Sequence, residues 1–102
     1  MKRATTPTHT FALPFSYLET VDKCLITYKQ GAEIVLTKTE SDIQVKNDNE
    51  IVINLTQEET IMFKPNIPVK IEIRILTPSG DALASDIMQA SVEDVLNDEV
   101  LS

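Results

Sequence analysis

Chemistry needs side chains in company: a nucleophile with a base, a pair of carboxylates, or a shell of metal ligands. Candidates for such sets are few here. His9 is the only histidine. It lies between Thr8 and Thr10 in a polar segment with nothing adjacent to orient it as a general base, so a solvent-facing or sheet-edge position is expected. Cys24 is the only cysteine, in a run where it shares a face with Ile26 and Tyr28. A packed, inert thiol is therefore expected rather than a nucleophile. A lone cysteine also excludes an internal disulfide and a thiolate zinc cage, which gives secretion into an oxidising compartment no support.

The oxygen-rich stretches are read as turns and caps. Asn47-Asp48-Asn49-Glu50 and the Asp81/Asp86 pair could offer oxygens to calcium, but neither has the spacing of an EF-hand loop, and Asn and Asp favour turns for their own backbone reasons. Glu58 and Glu59 follow Thr56 with the spacing of a capping box. The two glycines, Gly31 and Gly80, belong to no phosphate-cradling pattern. No catalytic, cofactor-binding or metal-ligating residue is assigned, and no cofactor is expected.

Charge narrows the partners. Nine Lys and Arg against 16 Asp and Glu give a net charge of −7 and a pI of about 4.5, which disfavours nucleic acid and acidic membranes. Six acids and no cation follow Arg74, so most of this charge belongs to the C-terminal end. The lysines elsewhere are scattered singly and read as solvated outer faces. No stretch approaches the roughly 18 apolar residues of a membrane span, and the first residues lack the apolar core of a signal peptide.

The elements that must position these residues are strands. Ile, Val and Thr make up 30 of the 102 residues, and branching at Cβ favours a pleated surface. The clearest strand is Pro68 to Leu76, with Val69, Ile71, Ile73 and Ile75 on one face and Lys70, Glu72 and Arg74 on the other, the pattern of an antiparallel sheet wet on one side. Further strands are expected at Thr8–Leu13, Asp22–Lys29, around Ile34–Leu36, at Asp42–Lys46, at Glu50–Leu55 and across Ala82–Val92. Turns fall at Gln30-Gly31, Asn47–Asn49 and Pro78–Asp81, and a helical turn at 56–60 links two sheets. About seven short strands at 8 to 12 residue spacing read as an all-β, immunoglobulin-like antiparallel β-sandwich. Residues 1–102 form a single domain on this reading, with residues 1–6 and the acidic tail 93–102 as candidate mobile ends. The aromatics are core fillers, with Tyr17 the one expected on the surface.

Several motifs in order carry a resemblance: Thr6-Pro7-Thr8-His9-Thr10-Phe11, then Ile26-Thr27-Tyr28-Lys29-Gln30-Gly31, then Leu55 to Thr60 before Phe63, and Ile71-Glu72-Ile73-Arg74 ahead of Gly80 to Ser85. Together they resemble small phage and prophage proteins of Gram-positive bacteria, and the N-terminal immunoglobulin-like domain of tailed-phage baseplate upper proteins. The resemblance implies a non-enzymatic structural or accessory role in a virion tail or baseplate. Its partners would be phage structural proteins or further copies of the chain, met in the host cytoplasm during assembly and then in the virion. Baseplate proteins continue into receptor-holding regions whereas this sequence ends at Ser102, which favours a small adaptor. Phe11, Leu13, Val95, Leu96, Val100 and Leu101 are the candidate partner-binding residues, because sheet edges and apolar-studded ends are what such a sandwich offers. The alternative is a carbohydrate- or ligand-binding module using Tyr17 and Tyr28 as ring platforms.

Overall fold

Alternation of apolar and polar residues builds two antiparallel sheets that meet across an aliphatic interior. The computed structural model describes residues 1–102. In chain order it holds β1 (Thr8–Ala12), α1 (Tyr17–Thr20), β2 (Lys23–Gln30), β3 (Glu33–Thr39), a 3-10 turn (Glu40–Asp42), β4 (Gln44–Lys46), β5 (Glu50–Asn54), α2 (Gln57–Ile61), β6 (Val69–Leu76), β7 (Ala82–Ala84) and β8 (Met88–Ala90). One sheet has the order β1-β5-β4, and the other β3-β2-β6-β7 with β8 also on β6.

That order is the immunoglobulin-like arrangement: a hairpin, β2–β3, is inserted in the sheet opposite β1, and the chain then returns through β4 and β5 before crossing to β6. The all-β sandwich expected from sequence is therefore the fold. Inward positions supply the core. Cys24, Ile26 and Tyr28 come from β2, Ile51 and Ile53 from β5, and Val69, Ile71, Ile73 and Ile75 from β6, with Leu55, Phe63 and Val92 closing the ends. Burying a large side chain of this kind stabilises by about 1.5 to 3 kcal/mol relative to leaving it exposed, so these strands carry most of the fold's hydrophobic energy.

The link between the sheets forms as its sequence dictates. Thr56 Oγ1 accepts from the Glu59 amide at 3.1 Å and Glu59 Oε1 accepts from the Thr56 amide at 2.9 Å, the reciprocal capping box that starts α2. Elsewhere the boundaries shift. The β2–β3 turn is Gly31-Ala32, with Gly31 at φ +58°, and Gln30 belongs to the strand. Asp42 ends a 3-10 turn, so β4 starts two residues later than expected. The final strand is broken: β7 and β8 both pair with β6, but their registers differ by one residue across Ser85–Ile87, which is a bulge. The short helix α1 had no periodic signal. Asp48, at φ +58° in the β4–β5 turn, makes it possible by accepting from the Leu18 amide at 2.9 Å and from the Ser16 hydroxyl.

Candidate interaction site

β1 is an edge. Its inner side bonds β5 at both ends, with the Leu13 amide donating to Asn49 and the Leu55 amide to the carbonyl of Pro7. Alternation along an antiparallel ladder then turns the N–H and C=O groups of Thr8, Thr10 and Ala12 toward the other side, where the sheet has no further strand. In a four-stranded sheet of this fold another strand lies beside this one. At one end of the molecule Met1 to Arg3 run alongside Glu93 instead: the Glu93 amide donates to the Met1 carbonyl and the Arg3 amide to the Glu93 carbonyl, both at 2.9 Å.

Beyond that end the gap between β1 and β7 is a cleft of about 340 Å³. Its walls are mainly apolar, with Phe11, Leu13 and Phe15 on the β1 side and Ile73, Leu83 and Met88 on the other. Phe11 and Leu13, two of the expected contact residues, stand here half-buried. Phe15, Leu83 and Met88 were not singled out from sequence; Ala82-Leu83-Ala84 is apolar throughout and carries no alternation to mark Leu83.

The other four candidates lie elsewhere. Arg3 and Gln57 hold the C-terminal segment against α2. The Arg3 guanidinium donates from Nε to the Phe63 carbonyl at 2.9 Å, from Nη2 to that of Ile61 at 3.1 Å, and from Nη1 to Asp94 Oδ1 at 2.7 Å, with Asp98 at 3.4 Å. Gln57 takes both backbone groups of Leu101, donating to its carbonyl at 3.0 Å and accepting from its amide at 2.9 Å. Val95 is half-buried, while Leu96, Val100 and Leu101 are exposed. The six candidates thus form two separate groups, one in the cleft and one on the tail beside α2.

The potentially reactive groups are engaged in structure. His9 lies on the edge strand β1, one of the two positions expected for it, but turns inward rather than to solvent, because it alternates with the exposed Thr8 and Thr10. Its ring stacks on Tyr28 at a centroid distance of 5.7 Å, and Nδ1 lies 2.7 Å from the Tyr28 hydroxyl. Burial, and then the charge of the N-terminal ammonium, lower its pKa below the ordinary 6.5, so at neutral pH the ring is uncharged and its tautomer sets which of the two atoms donates. Tyr28 is 0% exposed and offers no face to a sugar. Tyr17 is half-buried against the core rather than exposed, and burial raises its pKa. Burial, with the nearby Glu40 charge, pushes the Cys24 thiol up to about 11, which keeps it protonated at neutral pH.

Three polar arrangements escaped sequence reasoning. Gln30 is buried at the end of β2, donating to the carbonyls of Lys64 and Ile67 at 2.9 Å each and accepting from the Lys64 amide at 2.8 Å. Thr60, fully buried, donates to the Thr5 carbonyl at 2.9 Å. Lys38 corrects the reading of every lysine as solvated: it faces inward from β3 and meets Glu59 at 2.6 Å, both side chains largely covered. Burial would raise the Glu59 carboxyl, but hydrogen bonds from Lys38 and Thr56 and the ammonium's charge hold it below the usual range.

No group of three or more His, Cys, Asp or Glu side chains converges as a metal shell would, and no helix is long and apolar enough to cross a membrane. No family model and no curated protein matches the chain. Among solved structures, the V domain of amphioxus IgVJ-C2 aligns over 90% of this chain and 96% of its own, with 13% identity and a TM-score of 0.37. At that level it adds nothing to the fold already read from the strand order.

Proposed function

We propose that this protein is a non-enzymatic interaction domain that accepts an extended segment of another protein alongside β1. The observation that carries the reading is the union of a free strand edge with an apolar cleft beside it. An incoming strand would pair with the outward backbone of Thr8, Thr10 and Ala12 for affinity and lay alternate side chains into the cleft for specificity. His9 and Cys24, which a catalytic reading would need, are committed to core packing. The finer form of the proposal is a structural or accessory subunit of a phage tail or baseplate. It rests on the motif resemblance, and would place the protein in the host cytoplasm during assembly and then in the virion.

The test is Thr10→Pro. The Thr10 N–H points away from β5, so proline removes a donor the fold does not use, yet it blocks pairing by an added strand. The wild type, co-expressed with the structural proteins encoded by neighbouring genes, should co-purify with one of them, and the variant should lose that partner while keeping its thermal midpoint within a few degrees. Equal recovery of the partner by both proteins would reject the β1 edge. Failure of the wild type to bind any of them would reject the phage assembly role.

A further inference from the structure

The outer face of the β2–β6 ribbon carries charge of the wrong sign for this molecule. Outward positions on these strands are Lys23, Leu25, Thr27 and Lys29, then Lys70, Glu72, Arg74 and Leu76, so four of the chain's nine cations stand here with one acid. The register sets Lys29 directly opposite Lys70, a like-charge pair that weakens the sheet unless an anion comes to it. Lys23 has Glu40 at 4.0 Å, whereas Lys29, Lys70 and Arg74 make no ion pair. Beside them Ile34 and Ile87 are 61% and 62% exposed, on the rim of a shallow cleft of about 470 Å³ that also holds these three cations. Aliphatic side chains next to unpaired cations suit an acidic protein surface better than a phosphate chain, which the net charge of −7 also repels.

The same molecule presents the complementary surface. Around α2, where Arg3 and Gln57 hold the C-terminal segment, Glu58, Glu93 and Glu99 remain outside ion pairs, and Leu96 and Leu101 are exposed. Acids with exposed aliphatics at one end match cations with exposed aliphatics on the sheet face. We propose that a second copy of this chain seats its acidic α2 end on the outer face of β2 and β6. The two surfaces are different patches, so the contact is heterologous and propagates into a ring or a row of copies.

Sedimentation velocity over a concentration series tests this with the whole protein. Self-association is expected at low ionic strength and should vanish at about 1 M salt, where the screening length falls to about 3 Å. Lys29→Glu/Lys70→Glu should be monomeric at low salt, and so should Glu93→Lys/Glu99→Lys. Mixing the two should restore association, because each then offers the other an opposite charge. All four side chains are exposed, so unchanged thermal midpoints are expected. A wild type that stays monomeric at millimolar concentration, or association that survives Lys29→Glu/Lys70→Glu, would overturn the proposal. So would a monomeric wild type that binds a single-stranded oligonucleotide, which would give the face to nucleic acid. Thr10→Pro leaves this face intact and the charge variants leave the β1 edge intact, so the two proposals fail separately.

Discussion

At the scale of single residues, burial decides what the reactive groups can do. Cys24 is buried, with its thiol pushed up to about 11 by desolvation and the Glu40 charge. Iodoacetamide at neutral pH should leave it unmodified in the native protein and alkylate it in denaturant, read by mass; rapid native labelling would contradict the packing of β2. His9 makes stability depend on pH. Its pKa is lowered in the fold, first by burial, from an ordinary 6.5, so below that value the unfolded chain binds more protons than the folded one. The His9 contribution is therefore complete above about pH 6.5 and declines as pH falls toward the lower folded value. His9→Gln keeps a group that can donate to or accept from the Tyr28 hydroxyl, without a titrating ring. Between about pH 7.5 and pH 5 its urea midpoint should fall less than that of the wild type; equal falls would show that His9 ionises freely in the native state.

At the scale of elements, α2 is held by more than its cap. Lys38 reaches from the β3 edge to Glu59, whose other oxygen caps the helix, so one carboxylate ties helix start and sheet together. Lys38→Met leaves that largely covered charge without its cation, and a loss on the order of 1 to 3 kcal/mol is expected in urea unfolding. Lys38→Met/Glu59→Gln should recover part of the loss, because glutamine still caps the Thr56 amide and leaves no unpaired charge. If the double variant is no more stable than the single one, the ion pair is not what the lysine contributes. The helix itself was legible from Thr56-x-x-Glu59, as were β2, β5 and β6 from their alternation, since local periodicity records which face is dry. Lys38 was not, because its inward turn follows from a bulge in the β2–β3 register between Tyr28 and Lys29 that nothing in the sequence marks. The break at Ser85–Ile87 and the Asp48 cap on α1 were hidden for the same reason: each depends on a partner from another part of the chain.

At the scale of the whole molecule, the two ends of the chain form one structure. Met1 to Arg3 pair with Glu93, Thr60 bonds the Thr5 backbone, and the Arg3 side chain, only 13% exposed, spans from α2 to Asp94. Sequence separation hid this, since Arg3 and Asp94 lie 91 positions apart and neither belongs to a periodic run. The candidate site was half legible for a related reason. Phe11 and Leu13 announced an apolar edge, but the cleft exists only because β7 stands across from them and no further strand lies beside β1. Arg3 is the residue whose side chain ties the two ends of the chain together. Arg3→Ala removes donors from the carbonyls of Ile61 and Phe63 and from the exposed carboxylate of Asp94, and a cost of about 1 to 3 kcal/mol follows from leaving the two part-buried carbonyls without their charged donor. The loss should be local before it is global: hydrogen exchange is expected to rise at Glu93 and over residues 95–101 while β2 and β6 amides stay protected. Uniform acceleration across both sheets would instead make the joined termini part of the same cooperative unit as the core.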